Sequence, residues 1–420
     1  MHRVPLKKDS VIGWNEEQGG YTVVEMISKT GTSSLVYRGY KSNNFKEPVI
    51  IKELYPVWMN NVIRLDSGVL IGITEAEKSA FRLQQDCLMD IRYNPAKQLV
   101  SDYFVGAKLI QDKGTLYLIM DANAEETFDH ILKKMGPIGG KNRKQKIEQL
   151  IRRIEYVKRI IEAVNIMHER GYIHGDLKPA NLFCSDLQQD SMEERRTIKV
   201  LDFGSCLPIN VTSEDKTLFC RVTISRGYAP KGWRRIWQEK QNKVAEGISL
   251  DALNEWTVKE LQKFEDLRYV DIYAIGIIFS ELVFQKTYVS LNQSEIKQAF
   301  HNMELLDDEV TYIEDMFKKL CSEKKIVKSL NEFTDMLNEF SSLLFYNLSG
   351  HVDNPINFNR LILKKYNQPY YNYDYIFNDV IDPQLIVNVV LWGKAFRVED
   401  LYVKAPGCYL FEAQGGMGKT

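Results

Sequence analysis

The hydrophobic period of this chain changes once, near Ala122, and that change limits what it can fold into. From Gly20 to about Ile110 the apolar residues come in short β-branched or aromatic runs, 21–27, 35–40 and 48–54, with turn residues between them, which is the pattern of strands. A helix is expected over 75–92, stopped by Asn94-Pro95. Two further strands, 104–111 and 115–120, flank Asp112-Lys113-Gly114. Past Ala122 the spacing turns helical. Ile147, Leu150, Ile151, Ile154, Val157, Ile161, Val164 and Met167 recur mostly in steps of three and four, one buried stripe on a helix over 145–170 that Gly171 ends. Two short strand-like pieces, 182–183 and 198–201, come before helices that run to about Leu343. The expectation is an α+β chain with a small β-rich lobe followed by a larger α-helical lobe.

Composition removes several classes of function. At 420 residues, 44% hydrophobic and 26% charged, the chain is neither a single small module nor a disordered one. Its 55 Lys+Arg balance 56 Asp+Glu, so it carries no overall basic footprint for nucleic acid or acidic lipid. Six cysteines lie far apart without a CxxC pair, which argues against a zinc ribbon or disulfide scaffold and for reduced thiols in a cytosol. The N-terminal basic residues have no apolar stretch behind them, and no run approaches the ~20 apolar residues of a membrane span. A soluble, cytoplasmic protein with no nucleic-acid or membrane partner is expected.

The chemistry concentrates in His174-Gly175-Asp176-Leu177-Lys178-Pro179-Ala180-Asn181, followed by Asp202-Phe203-Gly204. Singly, these residues have structural explanations: Asp176 as a turn cap, Asn181 as an Asx-turn residue, Asp-Phe-Gly as a loop tripeptide. Their ordered combination has a chemical one. Phosphoryl transfer needs a proton acceptor, cations on the phosphate oxygens and fixed positioning. Two carboxylates and an amide oxygen supply a base and two hard ligands suited to Mg2+.

On these motifs the chain resembles the protein kinase family over roughly residues 20–345, which implies the two-lobed kinase fold. By that resemblance Asp176 is the catalytic aspartate and Lys178 the loop lysine of serine/threonine kinases. Asn181 and Asp202 look like the Mg2+ ligands. Val49-Ile50-Ile51-Lys52 matches the strand that offers its lysine to the ATP phosphates. Gly31 and Val36 fall in the phosphate loop and, with Ile50, at the nucleotide. Met120 lies near the gatekeeper position, and Asp121 and Asn123 near the adenine. Asp271-Ile272-Tyr273-Ala274-Ile275-Gly276 resembles the buried helix whose aspartate holds the catalytic-loop backbone. The implied function is ATP- and Mg2+-dependent phosphorylation of serine or threonine in a protein substrate.

The departures matter as much. Only Gly31 of the loop glycines matches, with Lys29 and Ser34 at the flanking positions, so a weak or slow grip on ATP is expected. The helix glutamate that pairs with Lys52 is not evident. Its region reads Gln84-Gln85-Asp86, so the ion pair is missing, taken over by Asp86, or supplied from elsewhere. His-Gly-Asp replaces His-Arg-Asp, a change that goes with independence from activation-loop phosphorylation. Ser225-Arg226-Gly227-Tyr228-Ala229-Pro230-Lys231 resembles the end of the activation segment without its closing glutamate. The stretch from Trp233 to Arg268 is longer than the family usually spends, with contact to substrate or cover for the large lobe as its two readings and the second expected. Lys52-Glu53-Leu54-Tyr55-Pro56 and the long stretch before Phe81 look like a bacterial subgroup. A pseudokinase and a small-molecule phosphotransferase such as the aminoglycoside kinases are the alternatives, the first favoured by the missing glutamates, the second by His-Gly-Asp.

A second motif, Ala413-Gln414-Gly415-Gly416-Met417-Gly418-Lys419-Thr420, fits the Walker A spacing after an apolar strand, with Gly418, Lys419 and Thr420 at the phosphates. It resembles the nucleotide loop of STAND NTPases of the NB-ARC/NACHT kind. The expected organisation is an N-terminal extension (1–19), N-lobe (20–122), C-lobe (123–345), a linker or small helical segment (346–405) and the truncated start of an α/β P-loop domain (406–420), which couples the kinase to a C-terminal NTPase.

Overall fold

The computed structural model describes residues 3–16, 19–28, 33–42, 47–56, 61–94, 99–101, 103–121, 126–184 and 198–348. They group into two compact units, Met1–Gly136 with Arg159–Glu281, and Pro137–Lys158 with the residues from Leu282 on. Strands do give way to helices near Ala122, but the units do not divide there. The first unit joins the strand-rich part to residues 159–281 and contains every described candidate site residue. The expected linker and P-loop start, with Gly418, Lys419 and Thr420, lie outside the described residues, as do Gly31 and Asn123.

In the first unit, six strands form one antiparallel sheet: β1 (Val11–Asn15), β2 (Gly19–Ser28), β3 (Ser34–Lys41), β4 (Pro48–Leu54), β5 (Ala107–Asp112) and β6 (Thr115–Asp121), in the order β1-β2-β3-β4-β6-β5. The expected N-terminal extension supplies the edge strand β1, with Val11 opposite Thr22 and Ile12 opposite Tyr21. The expected strand over 104–111 begins later. Phe104 instead makes an isolated parallel bridge to Val200 and buries its ring, because its partner is the segment leading to Asp202 rather than β6.

Strand alternation gives this sheet two different faces. On one, Leu54, Leu116 and Leu118 pack with Phe81 of helix α1 (Glu75–Arg92), with Leu109 and Met120 beside them. On the other, Val23, Leu35, Tyr37, Val49, Ile51, Tyr117 and Ile119 form a separate core that Leu6, Ile12, Val62 and Leu70 cover. Thr74 starts α1 as its N-cap, with Oγ1 accepting the Glu77 N–H at 3.3 Å and two glutamates in the first turn complementing the helix dipole.

Helix α2 (Phe128–Met135) follows, then α3 (Arg143–Glu169), on which all eight residues of the expected stripe are buried. Gly171, at φ +82°, ends it as expected. Short strands Leu182–Cys184 and Ile198–Val200 pair antiparallel, and the second leads into Asp202. Beyond α4 (Leu218–Arg221), helices α5 (Lys231–Ala245) and α6 (Leu250–Leu261) account for the long stretch after Pro230. They bury Trp233, Ile236, Val258 and Leu261 against Leu207, Leu218 and Val222, so this stretch covers the helical part as expected. Helix α7 (Tyr269–Phe284) is buried almost throughout.

The second unit is helical among the described residues. Helices α8 (Gln293–Met303), α9 (Asp307–Leu320) and α10 (Leu330–Leu348) carry an aromatic cluster in which Phe284 lies 5.5 Å from Phe300 and 5.2 Å from Phe317. The fully buried Glu309 is held by Arg143 at 2.5 Å. No described helix is long and apolar enough to cross a membrane.

Candidate active site

Lys52 stands on β4 opposite Val36 of β3 and Leu118 of β6, and Ile50 stands opposite Met120, so these site residues share the face of the sheet that looks toward α1. Val36, Ile50 and Met120 are partly buried there, and Asp121 is exposed at the end of β6. Lys52 donates to Oδ1 of Asp202 at 2.5 Å and to Oε1 of Gln84 on α1 at 3.0 Å. The expected helix carboxylate is therefore replaced by the neutral amide of Gln84. Asp86 is exposed and does not take its place. Helical geometry sets this outcome: Gln84 shares the buried side of α1 with Phe81 and Leu88, whereas Asp86 falls on the opposite side.

Asp202 adopts a left-handed backbone, φ +61° and ψ 71°, and its Oδ1 also accepts the Gly204 N–H at 3.3 Å. Burial acts to raise its pKa, but the adjoining Lys52 ammonium and its hydrogen bond, with Lys178 and His174 further off, outweigh that and hold the carboxyl well below the usual carboxylate range. A methyl group on Gly204 would come within 3.1 Å of Asp202 Oδ1 and 3.5 Å of both the Gln84 amide nitrogen and Lys52 Nζ. The glycine of Asp-Phe-Gly thus leaves room for the three polar groups to meet.

The catalytic-loop motif is held from below by Asp271 of α7, which is fully buried. Its carboxylate accepts the backbone N–H groups of His174 (2.8 Å) and Gly175 (3.0 Å), and His168 Nε2 at 2.9 Å. Burial opposes the charge, and these bonds, led by His168, keep its pKa below normal. Gly175, at φ +77°, accounts for the missing arginine of the motif: a Cβ there would lie 2.6 Å from the carbonyl oxygen of Ser205, so both the backbone and the space require glycine. His174 Nε2 donates to the Leu201 carbonyl at 2.8 Å, and its Nδ1 accepts the Asp176 N–H at 3.3 Å, which fixes one neutral tautomer. The rings of Phe104, Phe203 and His174 follow one another at 6.0 and 5.9 Å beneath this loop.

Lys178 Nζ donates to Asp176 Oδ2 at 3.0 Å and to the Ser225 hydroxyl at 2.7 Å, which brings the activation-segment serine to the loop carboxylate. Asn181 gives its side-chain N–H to the Asp176 carbonyl at 2.9 Å, while its own backbone carbonyl accepts the Leu201 N–H at 2.9 Å. With its nitrogen committed, Asn181 presents Oδ1, and Asp202 keeps Oδ2 outside the Lys52 contact. Two hard oxygen donors suit Mg2+, an ion that keeps several waters and takes phosphate oxygens as ligands. No group of three or more His, Cys, Asp or Glu among the described residues forms a metal cage of its own.

Three features escaped sequence reasoning. His168 carries no motif signal. The buried Glu53 of β4, bonded to the hydroxyls of Tyr37 (2.7 Å) and Tyr117 (2.9 Å) and to Arg64 (2.6 Å), depends on strand register. Cys87 and Cys206, far apart in sequence, are both buried free cysteines of the first unit.

Residues 96–241 match the model of the protein kinase domain. A probable serine/threonine-protein kinase of Clostridium acetobutylicum is 25% identical over 276 residues, covering 64% of this chain and 34% of the relative. A calcium/calmodulin-dependent protein kinase type 1 of Caenorhabditis briggsae is 30% identical over 149 residues, covering 34% of this chain and 35% of that protein. The chain thus spans about a third of the length of these curated relatives. The crystal structure of the Mycobacterium tuberculosis PknI kinase domain matches 80% of this chain and 100% of its own, at 16% identity and a TM-score of 0.44. The described residues have a protein-kinase-like fold, with a β-rich part followed by a helical part, and the match to the protein kinase domain falls largely among them. The Clostridium acetobutylicum relative is named as a probable serine/threonine-protein kinase.

Proposed function

We propose that this domain transfers the γ-phosphate of ATP, with Mg2+, to serine or threonine hydroxyls of a protein substrate. The observation that carries the reading is the Lys52–Asp202 contact at 2.5 Å, which joins residues 150 positions apart. A structural protein gains little from this pair, because a half-exposed carboxylate contributes weakly to stability. A nucleotide site needs both charges.

Lys52 would serve the α- and β-phosphates of a bound nucleotide, and Asp202 and Asn181 would hold the cation. Bound Mg2+ neutralises charge on the phosphate oxygens. Val36 and Ile50 line the nucleotide; Met120, Asp121 and Asn123 border the adenine, and Gly31 the phosphates. Asp176 orients the acceptor hydroxyl and accepts its proton. Lys178 steadies the γ-phosphate, and its bond to Ser225 supports a reading in which the acceptor chain lies beside that serine. With Gly175 in place of arginine, the motif offers no side-chain cation at position 175 to pair with an activating phosphate. The proposal includes a cytoplasmic setting and coupling to an NTPase whose start, 406–420, carries Gly418, Lys419 and Thr420 at the phosphates.

A pseudokinase regulating that NTPase is the second reading, and the neutral Gln84 beside Lys52 is what favours it. Incubation with γ-labelled ATP and Mg2+, beside an Asp202→Ala variant, separates the two. Transfer of label by the wild type alone is expected; equal label from both, or none from either, supports the pseudokinase.

A further inference from the structure

Helices α5 and α6 form one unit: Arg235 pairs with Glu260 at 2.9 Å, and the Lys243 ammonium lies 5.2 Å over the Trp256 ring. Polar side chains of this pair turn to the segment that runs from Cys206 to Pro230 and bond to its backbone. Trp233 Nε1 donates to the Thr223 carbonyl at 2.9 Å. Lys240 Nζ donates to the Phe219 and Val222 carbonyls at 2.9 and 2.6 Å. Asn254 donates to the Asp215 carbonyl at 2.6 Å and accepts the Phe219 N–H at 3.4 Å. Gln262, just past α6, reaches the Val211 carbonyl at 3.2 Å.

Lys240 differs from the rest of this set. It is buried, and no carboxylate among the described residues pairs with it. A buried cation without a counter-charge costs more than an apolar side chain of its size. Its two acceptors lie at the end of α4, where a helix leaves carbonyls without intrahelical partners. The ammonium therefore serves the position of the 219–222 backbone rather than the packing of α5. From Thr223, held by Trp233, the chain has two residues to reach Ser225. The Ser225 hydroxyl accepts Lys178 Nζ at 2.7 Å, and the same ammonium donates to Asp176 at 3.0 Å.

We propose that α5 and α6 brace the activation segment in its acceptor-binding arrangement without a phosphate, with Lys240 as the positioning residue. This rests on the phosphotransfer reading above and adds its regulation. A phosphate orders such a segment by pairing with cations, and position 175 offers none. Donors on α5 and α6 do the ordering instead. Because they meet backbone atoms, the arrangement does not depend on the segment's side chains or on their modification. Removing the Lys240 ammonium leaves two buried carbonyls open and loosens the turn before Thr223. None of these bonds involves Lys52, Asn181 or Asp202, so the loss falls on the acceptor side and spares the nucleotide side.

The test compares the full chain as wild type, Lys240→Met and Lys240→Arg, with myelin basic protein as acceptor and ATP hydrolysis without acceptor as the control. Lys240→Met should raise the KM for the acceptor about tenfold and hold the KM for ATP and the hydrolysis rate within about twofold. Lys240→Arg keeps the charge and the donors and should restore most of the loss. Treating the wild type with a protein phosphatase should leave transfer unchanged. Equal losses for acceptor and ATP, or transfer abolished by the phosphatase, overturn the proposal. Hydrogen exchange reads the brace without catalysis: the amides of Phe219, Cys220 and Val222 should exchange at least about tenfold faster in Lys240→Met. Unchanged exchange also overturns it. A wild type that transfers no label while exchange responds refutes the phosphotransfer reading and leaves the brace standing. Should Lys240→Met fail to fold, Trp233→Phe, which removes one donor and keeps a ring in place, replaces it in each assay.

Discussion

Lys52 and Glu53 are neighbours on one strand, yet they belong to different problems. Strand alternation sends Lys52 to the face beside α1 and Glu53 to the opposite core. Glu53 is fully buried and its partners, Tyr37, Tyr117 and Arg64, come from the two flanking strands and the segment after β4. Arg64 in turn donates to the Val4 and Gly68 carbonyls, which fastens the N-terminal segment and a short hairpin over the sheet. Lys52 instead meets Asp202, whose side chain is 41% exposed, and a neutral glutamine. One charge is locked by completed bonds among nearby residues. The other is held by partners that can be exchanged for phosphate. The contrast indicates that a buried charge with every partner fixed is architecture, while one facing a solvated carboxylate is available for chemistry.

The largest expected effect lies on the Lys52 face. Asp176→Asn or Lys52→Met should lower phosphotransfer by about a thousandfold in a labelled-ATP assay, since each removes charge aimed at the reacting phosphate or hydroxyl. Lys52→Met should move the thermal midpoint little, because Asp202 keeps access to water.

Next comes Glu53→Gln. Removing that charge leaves Arg64 buried without its partner and should destabilise the protein by about 3 kcal/mol or more, read by denaturant titration. A cost under about 1 kcal/mol would break the comparison.

Gln84→Glu sharpens it. A charged acceptor in place of a neutral one 3.0 Å from Lys52 should raise kcat/KM for ATP about fivefold, on a difference of about 1 kcal/mol between charged and neutral hydrogen bonds. A drop in activity would mean that the amide is required.

The smallest effect is the acid limb. Asp202 and Asp271 have folded pKa values below their unfolded ones, so their contribution to stability is present above the unfolded value of about 4 and is lost as pH falls toward the folded values. The thermal midpoint should fall below about pH 4, and Asp271→Asn should flatten part of that fall.

Much of the fold was legible because the signals were local. The run 48–54, the helix 75–92 and the stripe from Ile147 to Met167 carry their own periodicity and stop signals, and the structure places them within a residue or two. The loop residues were legible for another reason, since Asp176, Lys178, Asn181 and Asp202 are set by the chemistry they resemble. What stayed hidden depends on tertiary register. Nothing in Gln84-Gln85-Asp86 says which side chain will face Lys52 until α1 is docked. Gly175 reads as a lost arginine until Ser205 is seen to press on it. The contact of His168 with Asp271 joins residues with no shared pattern.

The most direct test measures two quantities on two neighbouring substitutions. Lys52→Met and Glu53→Gln are each assayed for phosphotransfer per folded molecule and for unfolding free energy. The account predicts that Lys52→Met loses transfer with stability kept, and that Glu53→Gln loses stability with transfer per folded molecule kept. If both substitutions moved the two quantities together, or if Lys52→Met left transfer intact, the division of labour across this sheet would be contradicted.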